Sequence, residues 1–328
     1  MEGMLWHAEK NYIKCDLCHI ACKIKENGFG ACKLRKNEKG RMVVLQTGKI
    51  YGTEVENIEK RSLFHFLPNT KTLSILLYGS ELNDNFCIDE NGGGKVEEIS
   101  PEEIVELAEK KGCQSISYKI TEPTVAFEFA YRIARIARRV NIKNVFISNG
   151  LISEEAVKKI SKYLDACLIK IKASGDEEFL KKHFAIPSID PIFSTIRQMR
   201  KHRIFVEIVN EIVPQIGDDI KKCRKLAERI NAELDPRIPF HLHRFKSKKF
   251  PGLPPTPLSL LQKFAEEAKK AGLRYVYISN VPKNPYLHTY CYNCMEKVII
   301  REKGKVKRMN LVGDRCPRCG FKINLVMS

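Results

Sequence analysis

Short apolar runs alternate with amphipathic stretches through the middle of this sequence. The runs have strand length and many β-branched and aromatic residues, and they lie at 72–78, 114–118, 144–148, 167–171, 204–209, 239–243 and 274–279. Apolar residues at helical spacing separate them, for example at 101–111, 124–140 and 257–271. Repeated strand–helix units predict an α/β fold with a parallel sheet, either open or closed into a barrel. In such folds the chemistry lies at the carboxyl ends of the strands.

The length of 328 residues, with 43% apolar content, is enough for one large core with small appendages. No window approaches eighteen consecutive apolar residues, and the first residues, MEGMLWHAEKNYIK, are too polar for a signal peptide. We therefore expect a cytoplasmic protein. Plentiful Lys, Arg, Glu and Ile with scarce Gln are typical of thermophiles, which favour charge networks over labile amides.

Two C-x-x-C pairs lie near the C-terminus, and a basic, hairpin-like stretch separates them. Each pair can wrap its backbone around one metal ion, and the two pairs together complete a tetrahedral site, as in zinc ribbons. A pair of disulfides is the alternative, but tight C-x-x-C loops rarely give relaxed bridge geometry. The pattern predicts a zinc site formed by Cys291, Cys294, Cys316 and Cys319.

A second group of four cysteines lies in the segment KCDLCHIACKIKENGFGAC, whose glycines allow a turn. Four thiolates so close in sequence suit a closed tetrahedral site, and we expect zinc there. The same set can hold an iron–sulfur cluster, because spacing does not select the metal. The predicted ligands are Cys15, Cys18, Cys22 and Cys32. Cys113, Cys167 and Cys223 stand alone and are predicted to be core residues.

Several segments resemble one known family, and together they extend from Cys15 to Cys319. They include CDLCHIACKIKENGFGACKLRKNEKG, IEKRSLFHFLPNTKTLSI, TEPTVAFEFA, NVFISNG, PFHLHRF, AGLRYVYISNV and the terminal TYCYNC with CPRCG. On these motifs the sequence resembles the radical SAM enzymes related to glycyl-radical-activating enzymes, in particular the AmmeMemoRadiSam branch. The resemblance implies a partial β/α TIM-like barrel in 71–282, between a four-cysteine metal-binding segment in 1–70 and a zinc ribbon in 283–328.

The family's cluster motif, C-x-x-x-C-x-x-C, aligns with the loop that follows the predicted strand at 72–78. Its three positions are Ser80, Asp84 and Cys87. A radical SAM enzyme holds a 4Fe–4S cluster on three thiolates and leaves one iron open for S-adenosylmethionine. A hydroxyl and a carboxylate are hard oxygen ligands that substitute poorly for thiolates. We therefore expect no 4Fe–4S cluster in this loop, and we do not expect S-adenosylmethionine to bind.

Two further positions depart from the family. Lys170 stands in the region of an acidic residue of the family, and Thr121 replaces the asparagine before the family's Glu-Pro-Thr. The Glu-Pro-Thr itself remains at 122–124, so Cys87 and Glu122 are remnant cofactor positions. We favour a structural alternative, in which the proline occupies the first turn of the helix at 124–140 and the carboxylate lies near its N-terminus.

Positive charge forms clusters along the chain. The formal net charge is +18, or about +14 if two four-thiolate zinc sites each contribute −2. Clustered Lys and Arg favour a polyanion as partner, although a basic surface also simply keeps a protein soluble. We expect the clusters to be neighbours around one rim of the barrel. Their members are Arg132, Arg135 and Arg139; Arg244, Lys246, Lys248 and Lys249; and Lys303, Lys305, Lys307 and Arg308, with Arg315 and Arg318 nearby.

These features predict a catalytically retired protein that binds RNA, with ribosomal RNA or ribosomal subunits as partner. His241, His243 and Phe245 interleave the second cluster and are either base-stacking residues or packing residues at a strand end. The first alternative is an active radical SAM enzyme, with atypical cluster ligation in the loop after the strand at 72–78 or with iron at the N-terminal cysteines. The second alternative is a partner of Memo-type proteins, as the resembling branch implies.

Overall fold

The computed structural model describes residues 1–78, 95–119, 122–184, 186–246, 250 and 252–327. The strands are β1 (Trp6–Ala8), β2 (Ile13–Cys15), β3 (Lys23–Ile24), β4 (Arg35–Glu38), β5 (Arg41–Val44), β6 (Lys49–Asn57), β7 (Lys71–Leu77), β8 (Glu97–Glu98), β9 (Ser115–Lys119), β10 (Lys143–Ser148), β11 (Ala166–Lys172), β12 (Phe205–Ile212), β13 (Phe240–Arg244), β14 (Val276–Ile278), β15 (Thr289–Tyr290), β16 (Lys297–Glu302) and β17 (Lys305–Met309). The helices are α1 (Pro101–Lys110), α2 (Phe127–Arg139), α3 (Glu154–Ile160), α4 (Glu177–Phe184), α5 (Asp190–Lys201), α6 (Ile220–Glu233) and α7 (Leu258–Lys270).

One compact unit contains residues 1–55, 72–167 and 190–205. Its main strands have the order β10-β9-β7-β6-β8, and β7, β9 and β10 are parallel. Ile116 of β9 lies opposite Leu73 of β7 on one side and Asn144 of β10 on the other. The N-terminal segment of this unit adds a small antiparallel sheet, β1-β2-β3, and the hairpin β4-β5.

The second unit contains residues 56–71, 168–189 and 206–328. Its strands have the order β14-β13-β12-β11, and β12, β13 and β14 are parallel. His241 of β13 lies opposite Val209 of β12 and Tyr277 of β14. The C-terminal strands β15, β16 and β17 form an antiparallel sheet, the ribbon.

Local sequence explains where the helices begin. The sequence SPEE at 100–103 forms a capping box at α1, because Ser100 Oγ accepts from Glu103 N at 3.2 Å and the Glu103 carboxylate accepts from Ser100 N at 2.8 Å. Ser153 caps α3 in the simpler way, accepting from Ala156 N at 3.1 Å. Each cap satisfies amides that the first helical turn leaves without partners.

The predicted strands and helices of the α/β region are confirmed, with ends that differ by a few residues. The exception of consequence is α2, which begins at Phe127 rather than at residue 124. Pro123 therefore lies in the turn before the helix, and the interpretation that placed it in the first helical turn is wrong.

Closure of the sheet into a barrel and the domain boundaries at 70/71 and 282/283 stay predictions. Within the described part of the chain, no helix has both the length and the apolar content needed to cross a membrane.

Candidate functional site

The four cysteines near the C-terminus converge on one point. Their Sγ atoms all lie within 4.8 Å of one another, and the Cys291–Cys319 and Cys294–Cys316 sulfurs are 3.5 and 3.6 Å apart. Sulfurs around one tetrahedral ion, with metal–sulfur bonds of about 2.3 Å, stand roughly 3.8 Å apart. A disulfide bond measures only about 2.05 Å. The donor set therefore fits a single tetrahedral metal ion, and the prediction of a metal-binding group here is confirmed.

Two equivalent backbone turns present these cysteines. Met295 N donates to Cys291 O at 2.9 Å, and Gly320 N donates to Cys316 O at 2.9 Å. In each turn the residue after the second cysteine has a left-handed backbone, with φ of +57° at Met295 and +71° at Gly320. Glycine adopts this conformation freely, whereas a residue with a Cβ is strained by it. The first turn therefore carries strain that the second avoids.

Exchanging residues between the two turns should move the stability of the ribbon in opposite directions. Met295→Gly should stabilise it by up to about 1 kcal/mol, because the relieved strain exceeds the entropy that glycine loses. The Met295 side chain is 63% exposed, so its packing contributes little. Gly320→Ala should destabilise the ribbon by about 1 kcal/mol, since a Cβ at Gly320 meets no atom within 4 Å and only the backbone is strained. Thermal unfolding of the metal-bound variants measures both shifts, and shifts of the same sign would contradict this account.

The ribbon shares a core with the parallel strands of its own unit. Cys291 and Cys316 are buried in one cluster with Phe64 and Tyr277. Arg301 of β16 is only 1% exposed and donates to Phe64 O at 2.6 Å and to Thr289 Oγ1 at 2.8 Å. Its guanidinium lies 4.1 Å from the centre of the Phe64 ring. The sequence reasoning missed Arg301, because its basic surroundings gave no sign that this one cation is buried.

Beneath the ribbon, Glu207 of β12 organises the segment before β7. Its carboxylate accepts from three successive amides, Phe64 N at 3.0 Å, His65 N at 2.9 Å and Phe66 N at 3.0 Å. His241 Nε2 donates to the same carboxylate at 2.9 Å. Burial raises the pKa of Glu207, while the neighbouring His65 and the amide donors oppose the rise. Glu207 thus fixes the buried loop at 64–66, although more than 140 positions of sequence separate the two. No local sequence pattern indicates this contact.

The N-terminal cysteines lie in the first unit. Cys15 is buried on β2, Cys18 pairs with Ile152 in an isolated bridge, and Ala31 N donates to Cys22 Sγ at 3.3 Å. Within the described residues, these cysteines do not form a group whose sulfurs all lie within 4.8 Å. The metal site at Cys15, Cys18, Cys22 and Cys32 stays a prediction.

A buried cation touches this N-terminal group. Arg35 is 1% exposed and donates to Cys15 Sγ at 3.1 Å and to Met4 O at 2.6 Å. It also forms an ion pair with Glu128 of α2, which is fully buried. The pair fastens the N-terminal segment to α2 within the first unit. Sequence reasoning missed it because the two partners are 93 positions apart.

The loop proposed to have lost its cluster, with Ser80, Asp84 and Cys87, lies outside the described residues, as does Thr121. Glu122 is described and is 3% exposed. Its carboxylate accepts from Thr124 Oγ1 at 2.7 Å, Ser148 Oγ at 2.7 Å and Asn149 N at 2.8 Å. Burial raises its pKa against these hydrogen bonds. Because the carboxylate joins the end of β9 to the end of β10, its geometry favours a structural role over a remnant cofactor role.

In the second unit, polar side chains gather at the carboxyl ends of the strands. Lys172 Nζ lies 2.8 Å from Glu211 Oε2, and Glu211 is opposite His243 in the register of β12 and β13. His243 Nε2 lies 2.8 Å from both Ser62 Oγ and Ser279 Oγ. Burial, followed by nearby positive charge, holds the pKa of His243 well below its usual range. This group is a neutral histidine beside a satisfied ion pair.

The second basic cluster is only partly available at the surface. Lys246 is exposed, Arg244 donates through Nε to Thr256 O at 2.8 Å, and Lys248 and Lys249 lie outside the described residues. His241 and Phe245 are fully buried. Of the two alternatives for these rings, packing is confirmed and base stacking is excluded, because the core covers their faces. Cys113, Cys167 and Cys223 are likewise buried, as predicted.

The other two basic clusters are exposed. Arg132, Arg135 and Arg139 project from α2 while Phe129 and Ile133 of the same helix are buried. Within the part of the chain that the structure describes, these three arginines have no carboxylate within 4 Å; their neighbour Arg138, by contrast, pairs with Asp165 at 3.2 Å. On the ribbon, all the predicted cations are exposed. They are Lys303, Lys305, Lys307, Arg308, Arg315 and Arg318.

Comparison with known sequences places the chain in a family. A model of the radical SAM superfamily matches residues 84–230. The chain is also 35% identical to a Methanocaldococcus jannaschii protein, named "Uncharacterized protein MJ0808", over an alignment that covers 97% of each. This likeness extends through both cysteine-rich ends, which the superfamily model does not reach.

A solved structure has a similar fold over part of this chain. A radical SAM methyltransferase from Sphaerobacter thermophilus superposes with a TM-score of 0.52 and 14% identity, over 66% of this chain and 68% of the methyltransferase. Streptococcus suis SuiB, solved with S-adenosylmethionine, gives a TM-score of 0.47 and 14% identity over 62% of this chain and 46% of SuiB. On the sequence match along almost its whole length, the chain belongs to one family with the M. jannaschii protein, and its residues 84–230 match the radical SAM superfamily.

Proposed function

We propose that this chain is a catalytically retired radical SAM protein that binds RNA, with ribosomal RNA or ribosomal subunits as its partner. One observation carries the proposal: the ribbon holds exposed cations that have no carboxylate near them among the residues that the structure describes. Clustered cations of this kind increase the affinity for a phosphate backbone, because their binding releases condensed counterions. A rigid, metal-held hairpin keeps the cations in a fixed arrangement, which lowers the entropy lost on binding.

The charge of the ribbon follows from its ion pairs. Residues 289–327 contain nine Lys and Arg against three acids. Each acid already has a cation: Glu302 pairs with Lys307 at 3.0 Å, Asp314 with Lys322 at 3.0 Å, and Glu296 with Arg318 at 3.9 Å. Arg301 is buried. Within the described residues, no carboxylate lies within 4 Å of the exposed cations Lys303, Lys305, Arg308 and Arg315.

The donor set for the family's cofactor supports retirement. Among Ser80, Asp84 and Cys87 there is one thiolate, and a 4Fe–4S cluster of this superfamily needs three. Hard oxygen donors are poor substitutes for soft thiolates on iron. We propose zinc instead, held by Cys291, Cys294, Cys316 and Cys319 and by the N-terminal four cysteines. Tetrahedral thiolate sets of this kind are typical of structural zinc, which organises a fold and does not react.

Replacing the unpaired ribbon cations should weaken RNA binding. For Lys303→Ala/Lys305→Ala/Arg308→Ala, the slope of log affinity against log salt should flatten by about 2 to 3, since each phosphate contact contributes roughly 0.7 to 0.9. Arg132→Ala/Arg135→Ala/Arg139→Ala tests the α2 surface in the same way. Binding of labelled ribosomal RNA is measured across a salt series.

The matched control removes three other exposed lysines, as Lys181→Ala/Lys182→Ala/Lys225→Ala. It has the same net charge change, so it should keep most of the affinity if binding is localised on the ribbon. An equal loss in the control would mean that only net charge matters. A wild-type protein that binds no ribosomal RNA at low salt would refute the proposal and favour a Memo-type protein partner.

Active radical SAM chemistry is the second candidate, and the match of residues 84–230 to the superfamily model favours it. The test is the iron and sulfide content of protein reconstituted without oxygen. We expect two zinc ions and no broad visible absorption from an iron–sulfur cluster. A near-stoichiometric 4Fe–4S cluster that disappears in Cys87→Ala would contradict retirement and support the active radical SAM enzyme.

A further inference from the structure

A cleft of about 210 Å³ lies in the second unit, beside the second cysteine turn of the ribbon. It stands at the amino ends of β13 and β14, where Arg274 N donates to Pro236 O at 2.9 Å and Phe240 N donates to Tyr275 O at 2.9 Å. The superfamily's chemistry belongs to the opposite, carboxyl ends of the strands. The cleft is therefore separate from the family's own site. Its lining residues are Arg237, Arg274, Tyr275, Phe321, Lys322, Ile323 and Asn324.

Three cations are among the lining residues of the cleft. Asp235 holds the guanidinium of Arg237 through Nε at 3.0 Å and Nη2 at 2.8 Å, which fixes its direction. Arg274 stacks over the Tyr292 ring at 4.9 Å, and no carboxylate of the described residues lies within 4 Å of it. Lys322 adds a third cation, largely exposed and paired with Asp314. Arg274 is thus pre-positioned and not neutralised.

The floor of the cleft is apolar and aromatic. Tyr275 is 3% exposed and Ile323 is fully buried, while Phe321 is half-buried at the edge. A water molecule occupies about 30 Å³ in the liquid and drug-sized pockets span about 300–1,000 Å³, so this cleft suits one planar ring. Aromatic rings beside arginines are the usual platform for bases of single-stranded nucleic acid.

We propose that this cleft takes one unstacked nucleotide of a single-stranded RNA segment. The base lies against Phe321 and the floor, and a neighbouring phosphate lies on Arg274 and Arg237. The assignment rests on the proposed RNA binding and gives it a specific position. This assignment also gives Tyr292 of the first cysteine turn a role, because its exposed ring stacks on Arg274 and holds that side chain in place.

The test uses the full zinc-bound chain and a short oligouridylate, whose bases stack little on one another, with a fluorescent label. Arg274→Gln and Phe321→Leu should each weaken binding about tenfold, which is within the range for losing one stacked base or one cation contact. Leucine keeps apolar volume at Phe321, and Arg274 is on the rim, so both variants should fold. Equal thermal unfolding to wild type verifies this. Lys181→Ala/Lys182→Ala, which removes two exposed cations elsewhere, is the control and should bind as wild type does.

Competition and crosslinking locate the contact. Adenosine monophosphate should compete with the oligonucleotide better than inorganic phosphate does, and ultraviolet crosslinking should attach RNA to Phe321 or Tyr292. Equal competition by phosphate would overturn the base-stacking assignment. If Lys303→Ala/Lys305→Ala/Arg308→Ala weakens binding while both cleft variants bind normally, the cleft assignment fails and RNA binding stands. If the wild type binds neither this oligonucleotide nor ribosomal RNA, the proposed function itself fails.

Discussion

Removing the metal from the C-terminal cysteines should unfold the ribbon. Structural zinc contributes about 10–16 kcal/mol in isolated finger peptides at neutral pH, which is comparable to the whole stability of a typical domain. Here the cysteines Cys291 and Cys316 belong to the same buried cluster as Phe64 and Tyr277. Without the ion, Phe64 and Tyr277 lose their contacts with the residues of the ribbon, and Arg301 is no longer buried. We therefore expect the damage to reach Phe64 as well as the cysteine turns.

Limited proteolysis measures this effect. Cys294→Ser should expose cleavage sites within residues 289–327, while the first unit stays resistant. A strong chelator should expose the same sites, and it should also remove the ion proposed at the N-terminal cysteines. Cys223→Ala is the control, because Cys223 is fully buried in the second unit but is not a predicted ligand. Metal content is determined on the same samples. A ribbon that remains resistant after verified loss of the metal would show that the packing around Arg301, not the ion, holds it.

Mild acid should destabilise the second unit through His65. Burial lowers the pKa of His65 to about 4, whereas an unfolded histidine titrates near 6.5. Between pH 6.5 and pH 4, His65 is protonated in the unfolded chain but stays neutral in the folded protein. Stability is therefore full above about pH 6.5 and falls as the pH drops toward 4. By pH 5 the loss from this histidine should reach about 2 kcal/mol.

The hydrogen bonds around His65 give the physical reason. Its Nδ1 faces Asn324 O at 2.6 Å and must donate, so the neutral ring uses Nε2 to accept from Tyr277 at 2.6 Å. Tyr277 in turn lies 3.0 Å from Thr289 Oγ1, and Thr289 Oγ1 accepts from Arg301 at 2.8 Å. The chain of donors runs in one direction, from Arg301 to Asn324. A proton on Nε2 would oppose it.

Urea unfolding at pH 7 and pH 5 tests the histidine. Wild type should lose about 2 kcal/mol more than His65→Gln over this interval, because glutamine does not titrate. Loss of the metal affects both proteins alike, whereas the pKa of Glu207 depends on the neighbouring His65, so the difference reports the His65–Glu207 pair. The same loss in both proteins would place the acid sensitivity elsewhere, for example at His241, whose pKa burial also lowers.

Sequence patterns could predict those parts of the fold that depend on neighbours in the chain. The buried, β-branched runs became β7, β9, β10 and β11 to β14, and the C-x-x-C pairs converged as their spacing indicated. The capping box at Ser100 is equally local. What failed depended on partners far away in sequence: Glu207 with the amides of 64–66, Arg35 with Glu128, and Arg301 with Phe64.

The same distinction holds for the candidate site. The exposed cations of α2 and the ribbon were predictable, because helical and hairpin spacing decides which residues face outward. Their pairing was not, since Arg138 finds Asp165 across the unit. The sequence left the burial of His241 and Phe245 as one of two alternatives, because the neighbouring Arg244 and Lys246 made the segment look like an exposed basic cluster. Pro123 was misplaced because the apolar spacing from residue 124 onward continues through a turn, and α2 begins only at Phe127.

The most direct test of RNA binding in the cell is sedimentation of extract from cells that make this protein. At low salt the wild type should travel with ribosomal particles, and high salt should release it, because phosphate contacts dominate the affinity. Lys303→Ala/Lys305→Ala/Arg308→Ala should shift the protein toward the soluble fraction, and ribonuclease treatment should do the same to wild type. Wild-type protein that stays in the soluble fraction at low salt would contradict the account.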